Sequence, residues 1–187
     1  MYGKAVRTAE LGVVATPLGP FSVIGTAEHV LASGFTDDRE RLLALIHPTL
    51  RPERLLGAGA GLGPHLHAVE RYFDGETAAA GAVPVAYEGG PFLREGWARL
   101  RIVGAGQRIS YAELARRIGN PAAVRAAGQA CARNPATLFV PCHRIVRSDG
   151  HPNHFGWGLA RKRWLLAYES GRPRDEQAEL PLVAGSA

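Results

Sequence analysis

Between residues 110 and 135 the chain carries start and stop signals for two short helices, set so close together that few folds can hold them. Ser110-Tyr111-Ala112-Glu113 has the form of a capping box. The Ser110 oxygen can accept the Glu113 amide, and the Glu113 carboxylate can return to the Ser110 amide. Leu114 and Ile118 share one helical face, and Gly119 is placed as a C-terminal stop. Asn120 then caps a second helix with Pro121 in its first position, where a missing amide proton costs nothing. That helix is expected to run to about Arg133, where Asn134-Pro135 ends it. Two short helices joined by a tight turn form a helix-turn-helix. The second carries almost only small residues, among them Ala123, Ala126, Ala127 and Gly128, around a single Arg125. Alanine is a strong helix former, so one reading is a helix buried against its neighbours. The other is a slim helix able to come close to a flat or grooved partner, and the site downstream favours it.

A chain of 187 residues suffices for a small domain followed by a medium one, and a hydrophobic fraction of 46% allows a real core. The net charge of +5 favours polyanionic partners, weakly when taken alone. Two cysteines, Cys131 and Cys142, are too few for a secreted disulfide scaffold. The first residues lack the apolar run of a signal peptide, and no stretch reaches the ~18 apolar residues of a membrane span. The expected setting is the reducing cytoplasm, with no membrane partner. There a cysteine is either buried filler or a reactive thiol.

The expected fold class is α/β in the α+β sense: a small N-terminal sheet-and-helix domain over residues 1–87, then a mostly helical domain over 88–170 carrying the helix-turn-helix. Residues 171–187 are charged and Pro/Gly-interrupted and are expected to form a mobile tail. Val13 to Phe35 reads as a β-hairpin turning at Thr16-Pro17-Leu18-Gly19-Pro20. Thr36 to Leu56 has helical spacing around Arg39 to Ile46, and Gly57 to Gly63 breaks it. Pro64 to Asp74 reads as a helix, Val83 to Tyr87 as one more strand, and Glu88-Gly89-Gly90-Pro91 as the linker. Pro91 to Val103 is amphipathic, with Phe92, Trp97, Leu100 and Ile102 as candidate core residues.

The chemistry concentrates after the short apolar run Leu138-Phe139-Val140, in Pro141-Cys142-His143-Arg144. A thiol is a poor nucleophile until it loses its proton, and a nearby imidazole or positive charge supplies that activation. Adjacent residues point apart, so His143 is expected to act through a bridging water, with Glu169 as a candidate to orient the imidazole. A solvent-poor pocket is expected to favour the anionic sulfur. Cys131, on the Ala-rich helix, reads as a small buried hydrophobe. A metal site can be assembled on paper from His65 and His67, or from His151 and His154, with a cysteine, but those spacings match no tight zinc pattern.

Pro141-Cys142-His143-Arg144-Ile145-Val146 resembles the active-site signature of the O6-alkylguanine-DNA alkyltransferases. The resemblance extends to Ser110-Tyr111, Gly119-Asn120-Pro121, Arg125, Gly128, Asn134-Pro135 and Arg161-Lys162-Arg163-Trp164-Leu165-Leu166 with Glu169, covering roughly residues 87–169. Further upstream it is carried only by residues 16–20 and by Tyr72-Phe73-Asp74-Gly75. The resemblance implies a single-turnover repair protein that binds double-stranded DNA as a monomer, with cooperativity along DNA left open. In it the second helix, through Ala123, Ala126 and Gly128, enters the minor groove and Arg125 replaces the extruded base. Tyr111 crowds the neighbouring phosphate and donates to the guanine. Extrusion is required because the O6 group cannot reach a protein thiol inside a duplex. Cys142 then attacks the alkyl carbon, His143 takes the thiol proton through water, Glu169 holds the imidazole and Asn134 braces the turn. The carbonyls of Cys142 and Val140 would accept from the guanine amine. Val140, Pro141, Phe155, Gly156 and Trp157 would wall the pocket. The product is a thioether and no cofactor is implied. Metal-binding residues found near the N-terminus of some members have no counterpart here, so no structural zinc is expected.

The sequence departs from the family pattern at Phe155, which lacks the usual tyrosine hydroxyl, and at Trp157, where a glycine is usual. Trp157 is therefore expected to narrow the pocket mouth against bulky adducts. Leu93 stands where the family often has Gln. Three readings compete with alkyl transfer: a non-catalytic lesion-binding relative, which would lack the nucleophile; a helix-turn-helix regulator with a fortuitous thiol; and a cysteine hydrolase, which would leave Arg125 and the small-residue helix without a task.

Overall fold

The computed structural model describes residues 6–171. Residues 172–187, most of the expected tail, and residues 1–5, at the start of the segment read for a signal peptide, lie outside the described residues. The first part is a four-stranded sheet in the order β3-β2-β1-β4, formed by β1 (Thr8–Thr16), β2 (Gly19–Gly25), β3 (Val30–Gly34) and β4 (Arg54–Gly57). The β1–β2 hairpin turns where the sequence places it. Gly19 takes a left-handed φ of 96°, and Thr16 Oγ1 ties the turn by donating to the Gly19 carbonyl at 2.6 Å. β4 pairs parallel to β1, and α2 (Gly63–Phe73) packs Val69 and Tyr72 into the core.

Two expectations fail in this half. Residues 36–56 hold only the short helix α1 (Arg39–Leu43) before a 3₁₀ turn at Pro48–Leu50 and the strand β4. Pro48 has no amide proton with which to continue a helix. Val83 to Tyr87 forms no strand beyond a single bridge, Val30 to Val85. Its one paired edge lies against β3, and two residues of contact do not make a ladder.

Past a four-residue helix α3 (Ala79–Ala82), the chain crosses Glu88-Gly89-Gly90 and enters α4 (Pro91–Arg101). Trp97 and Leu100 are buried as expected, but Ile102 lies just past the helix end and is 64% exposed. The helix-turn-helix is α5 (Tyr111–Arg117) followed by α6 (Val124–Ala132). Ser110 Oγ accepts the Glu113 amide at 3.1 Å. The return half of the capping box is absent, because the Glu113 carboxylate binds Arg116 and Arg117 one turn on, at 2.8 and 2.7 Å. Gly119 ends the first helix with φ 92°. The second helix starts three residues later than Pro121. Asn120 to Ala123 form a turn closed by the Ala123 amide on the Asn120 carbonyl, 3.0 Å, and Asn120 makes no side-chain cap.

α6 uses its small residues on two sides. Ala127 and Ala130 are fully buried, and α4 crosses so closely that a Cβ built on Gly96 would stand 2.9 Å from the Ala130 Cβ. Trp97 Nε1 donates to the Ala130 carbonyl at 2.9 Å and fixes the crossing. Val124 and Arg125 face outward on the other side. A two-residue parallel pair, β5 (Ile109–Ser110) with β6 (Ile145–Val146), ties the start of the helix-turn-helix to the residues just after Cys142-His143-Arg144. The last helix, α7 (Leu159–Glu169), buries Trp164, Leu165 and Leu166, and one hydrophobic core runs through both halves.

Candidate active site

The cysteine loop is built from the backbone outward. Pro135 to Thr137 runs beside β3 as an added edge: the Ser33 amide donates to the Pro135 carbonyl at 2.9 Å and the Thr137 amide to the Ser33 carbonyl at 3.3 Å. Ser33 Oγ donates to the Thr137 carbonyl at 2.8 Å. Leu138 then takes a left-handed φ of 71°, among the described residues the one non-glycine with positive φ. Such a conformation costs about 1–2 kcal/mol in a leucine and is held by burial on all sides. Asn134 closes the turn. Its Oδ1 accepts the Ala136 amide at 3.0 Å, and its Nδ2 donates both to the Val140 carbonyl, 2.7 Å, and to Cys142 Sγ, 3.0 Å. Cys142 begins a single 3₁₀ turn, Cys142–Arg144, and is buried.

Behind the sulfur, His143 and Glu169 are joined, Nε2 to Oε1, at 2.9 Å with both side chains fully buried. Glu169 also accepts from Arg144 Nε and Nη2, at 2.9 and 2.8 Å, from the Tyr72 hydroxyl at 2.8 Å and from the Gly106 amide at 3.3 Å. Burial pulls its pKa up, but His143 and Arg144 outweigh that and hold the carboxyl below its ordinary range. An ionised Glu169 requires the imidazole proton on Nε2, which leaves Nδ1 as the basic nitrogen. Nδ1 is buried with no hydrogen-bond partner among the described residues. Burial also lowers the His143 pKa against the pull of Glu169, so the ring is neutral at neutral pH and its Nδ1 lone pair is free.

Cys142 opens onto a cleft of about 590 Å³, lined also by Tyr111, Arg125, Gly128, Cys131, Asn153 and Phe155. Val124, Ala132, His154 and Gly156 complete its walls. The Tyr111 hydroxyl donates to Asn153 Oδ1 at 2.9 Å. Burial pushes the Tyr111 pKa up to about 12, so the phenol keeps its proton as a donor. The thiol itself corrects the expectation from sequence. Burial raises its pKa rather than lowering it, and the Asn134 amide and the Lys162 ammonium pull it back. The dry pocket therefore opposes the anion, and the Asn134 amide and the Lys162 charge offset that opposition in part.

Residues 91–171 match the family model described as 6-O-methylguanine DNA methyltransferase, DNA binding domain. Over 161 residues the chain is 37% identical to the methylated-DNA–protein-cysteine methyltransferase of Shigella flexneri, spanning 83% of this chain and 92% of that protein. The chain belongs to the methylated-DNA–protein-cysteine methyltransferase family. The Mus musculus protein of that name is 35% identical over 182 residues, spanning 86% of this chain and 82% of that one. The crystal structure of Mycobacterium tuberculosis OGT in complex with DNA has a TM-score of 0.72 at 26% identity, covering 90% of this chain and 98% of that chain.

Within this methyltransferase architecture the site residues expected from sequence fall into two groups. Asn134 with Cys142 and His143 with Glu169 form two hydrogen-bonded pairs on neighbouring residues, and Tyr111, Arg125, Gly128, Phe155 and Gly156 line the cleft. Ala123 and Ala126 lie half-buried along α6 beside Arg125, which is exposed. Val140 and Pro141 are buried and set the position of Cys142 without lining the opening. The Val140 carbonyl already accepts from Asn134 and from the Cys142 amide, 2.8 Å, so it has no lone pair for a guanine amine. Trp157 is the clearest correction. Its indole turns away from the cleft and packs on Gly34 of β3, donates to Thr137 Oγ1 at 2.6 Å and lies under the Arg41 guanidinium, 4.3 Å from the ring centroid. An apolar ring of that size gains more by filling the space over a glycine than by standing in a hydrated mouth.

Several placements in the site carried no readable signal. Cys131, read as buried filler, is half-buried in the cleft wall. Arg144 and Tyr72 reach Glu169 from 25 and 97 residues away, separations that no local pattern encodes. His65, considered for a metal, turns to the Thr26 carbonyl at 3.0 Å, and His67 pairs with Glu70.

Proposed function

We infer that this protein repairs O6-alkylated guanine in double-stranded DNA by moving the alkyl group irreversibly onto Cys142. The observation that carries this reading is the sulfur at the base of an open cleft, held by the Asn134 amide and backed by a buried His143–Glu169 pair, with Arg125 at the cleft wall. The protein binds DNA, and the small outward residues of α6 let that helix approach a groove closely. Arg125 takes the place of the extruded nucleotide, because the O6 carbon is otherwise shielded by the stack. The Cys142 proton passes through a water to His143 Nδ1. The thiolate attacks the alkyl carbon, the carbon–O6 bond breaks as the carbon–sulfur bond forms, and Tyr111 donates to the departing guanine. A thioether does not exchange with thiols, so each molecule acts once. The same reading has the protein work as a monomer, since one chain supplies every group in the cleft, and in a reducing cytoplasm that preserves the thiol.

The test is incubation with a duplex holding one O6-methylguanine, read by intact-protein mass. The expected result is a gain of one methylene, absent in Cys142→Ala. A protein that only marked the lesion would bind the duplex and keep its mass, and a sequence-specific regulator would ignore the methyl group.

A further inference from the structure

Tyr111 is the donor that the transfer reaction directs at the guanine, yet in the free protein its proton is already committed. The hydroxyl donates to Asn153 Oδ1 at 2.9 Å. A phenol carries one proton, so it cannot serve Asn153 and an incoming base at once. The phenol also keeps that proton at neutral pH, because burial pushes its pKa up to about 12. Asn153 is placed to resolve the conflict. It is half-buried on the loop that follows the tight turn over residues 147–151, where the Arg147 amide donates to the His151 carbonyl at 3.0 Å. Pro152 fixes the backbone just before it. Asn153 lines the cleft together with Tyr111 and Cys142, and it also borders a neighbouring cavity of about 330 Å³. Among the described residues the Tyr111 hydroxyl is the one hydrogen-bond partner of its side chain. Nothing else fixes which way the amide faces, and the torsion that exchanges its oxygen and nitrogen is soft and close to two-fold. Among the described residues no charged side chain hydrogen-bonds the phenol, so the amide alone decides where the phenol proton points.

We propose that Asn153 is a positioning residue for Tyr111, an amide switch that holds the phenol proton in the free protein and turns it onto the guanine when the base enters the cleft. The assignment rests on the alkyl-transfer reading. In the free protein Oδ1 accepts from the phenol. Once the amide turns over, Nδ2 donates to the phenol oxygen and the phenol proton is free for the base. Only hydrogen bonds are exchanged: the proton stays on the tyrosine oxygen, and the alkyl group passes from O6 to Cys142 as before. An N–H donated to the phenol oxygen also polarises its O–H, which makes Tyr111 a stronger donor to the charge that develops on the departing guanine. Asparagine suits this task because it carries an acceptor and a donor on one pivot, whereas an ionised aspartate of nearly the same shape can only accept.

The experiment compares single-turnover methyl transfer from an O6-methylguanine duplex by the full chain at neutral pH. Asn153→Ala removes acceptor and donor together, which frees the phenol without polarising it, and is expected to slow transfer by about threefold. Asn153→Asp keeps the shape but retains the phenol proton, and is expected to slow transfer by about 30-fold, since a charged acceptor must be given up for the base. A purely structural role predicts the reverse order, because aspartate fills the site better than alanine. In a Tyr111→Phe background the two variants are expected to lie within about twofold of each other, since the switch then has no phenol to act through. An aspartate variant as fast as the alanine one overturns the proposal. So does an aspartate penalty that survives in Tyr111→Phe, which would come from repulsion of DNA or of the thiolate. If wild type takes no methyl group, the repair reading falls, and Asn153 is judged in the Cys142→Ala protein by its preference for the lesion duplex over the unmodified one, measured by fluorescence anisotropy. General charge repulsion cancels from that ratio. It is expected to fall from Asn153 through Asn153→Ala to Asn153→Asp, and an unchanged ratio, or no preference in any of the three, overturns the assignment as well.

Discussion

At the scale of single residues, the site is a problem in paying for buried charge. Glu169 accepts hydrogen bonds from four residues and stays ionised in a dry setting, which fixes the proton of His143 on Nε2. Its folded pKa lies below the unfolded value of about 4.3. A carboxyl shifted in that direction contributes stability that is fully present above the unfolded pKa and is lost as pH falls through the folded one. Glu169→Gln removes the charge and leaves Arg144 buried beside a neutral amide. We expect it to cost about 3–5 kcal/mol at pH 7, measured by urea unfolding, and the gap to wild type to shrink as pH falls below about 4, where the unfolded carboxylate takes up a proton and the native one stays ionised. A gap of constant size would show that Glu169 is not the acid-labile group. Methyl transfer should fall as well, because an uncharged partner no longer dictates which imidazole nitrogen is free.

At the scale of elements, α6 does two tasks with one composition. Ala127 and Ala130 let α4 approach within contact of a glycine, while Arg125 stands on the outer face. The two readings of an Ala-rich helix, buried core or slim probe, are therefore both true of different faces. This separation predicts a selective effect. Arg125→Ala touches no core contact, so unfolding should be unchanged within about 0.5 kcal/mol. Repair of O6-methylguanine in duplex DNA should slow by roughly 10- to 100-fold, matching the few kcal/mol needed to unstack a base, while reaction with free O6-benzylguanine, which needs no extrusion, should hold its rate. Equal losses on both substrates would remove the arginine from base extrusion and place it in the chemistry.

At the scale of the whole molecule, the N-terminal sheet is the bench on which the reactive loop is clamped. β3 lends an edge to residues 135–137, Gly34 makes room for Trp157, Arg41 covers that indole and donates to the Gly156 carbonyl at 2.9 Å, and Tyr72 reaches Glu169. The cleft wall at Phe155 and Gly156 is thus held by a tryptophan that points into the opposite half of the protein. Trp157→Phe should leave the ratio of benzyl to methyl transfer unchanged, since the ring does not stand in the mouth. Trp157→Ala should cost about 3–5 kcal/mol in unfolding and loosen transfer of both groups together. A rise in benzyl transfer alone in either variant would return the indole to the role of gatekeeper.

The sequence by itself determined what depends on neighbours in the chain: the β1–β2 hairpin, the Ser110 cap, the Gly119 stop and the run Pro141-Cys142-His143-Arg144, each written within a few residues because turns, caps and one-turn motifs are local interactions. It also offered Glu169 as a candidate to orient His143, and the resemblance to a family strengthened that pairing, though neither placed the two side chains in contact. Only the tertiary structure decided the rest. Strand β4 is short and finds its pairing across the sheet, the start of α6 is set by the turn it must make over α4 and α5, and Trp157 chooses a glycine 123 residues away over the cleft beside it. The ionisation of Cys142 belongs to the same class. Burial opposes the thiolate, and the groups that oppose burial, the Asn134 amide and the Lys162 charge, come from the turn before the cysteine loop and from the last helix. Electrostatics acts through space, so the chemistry of that sulfur became legible only when those groups were seen around it.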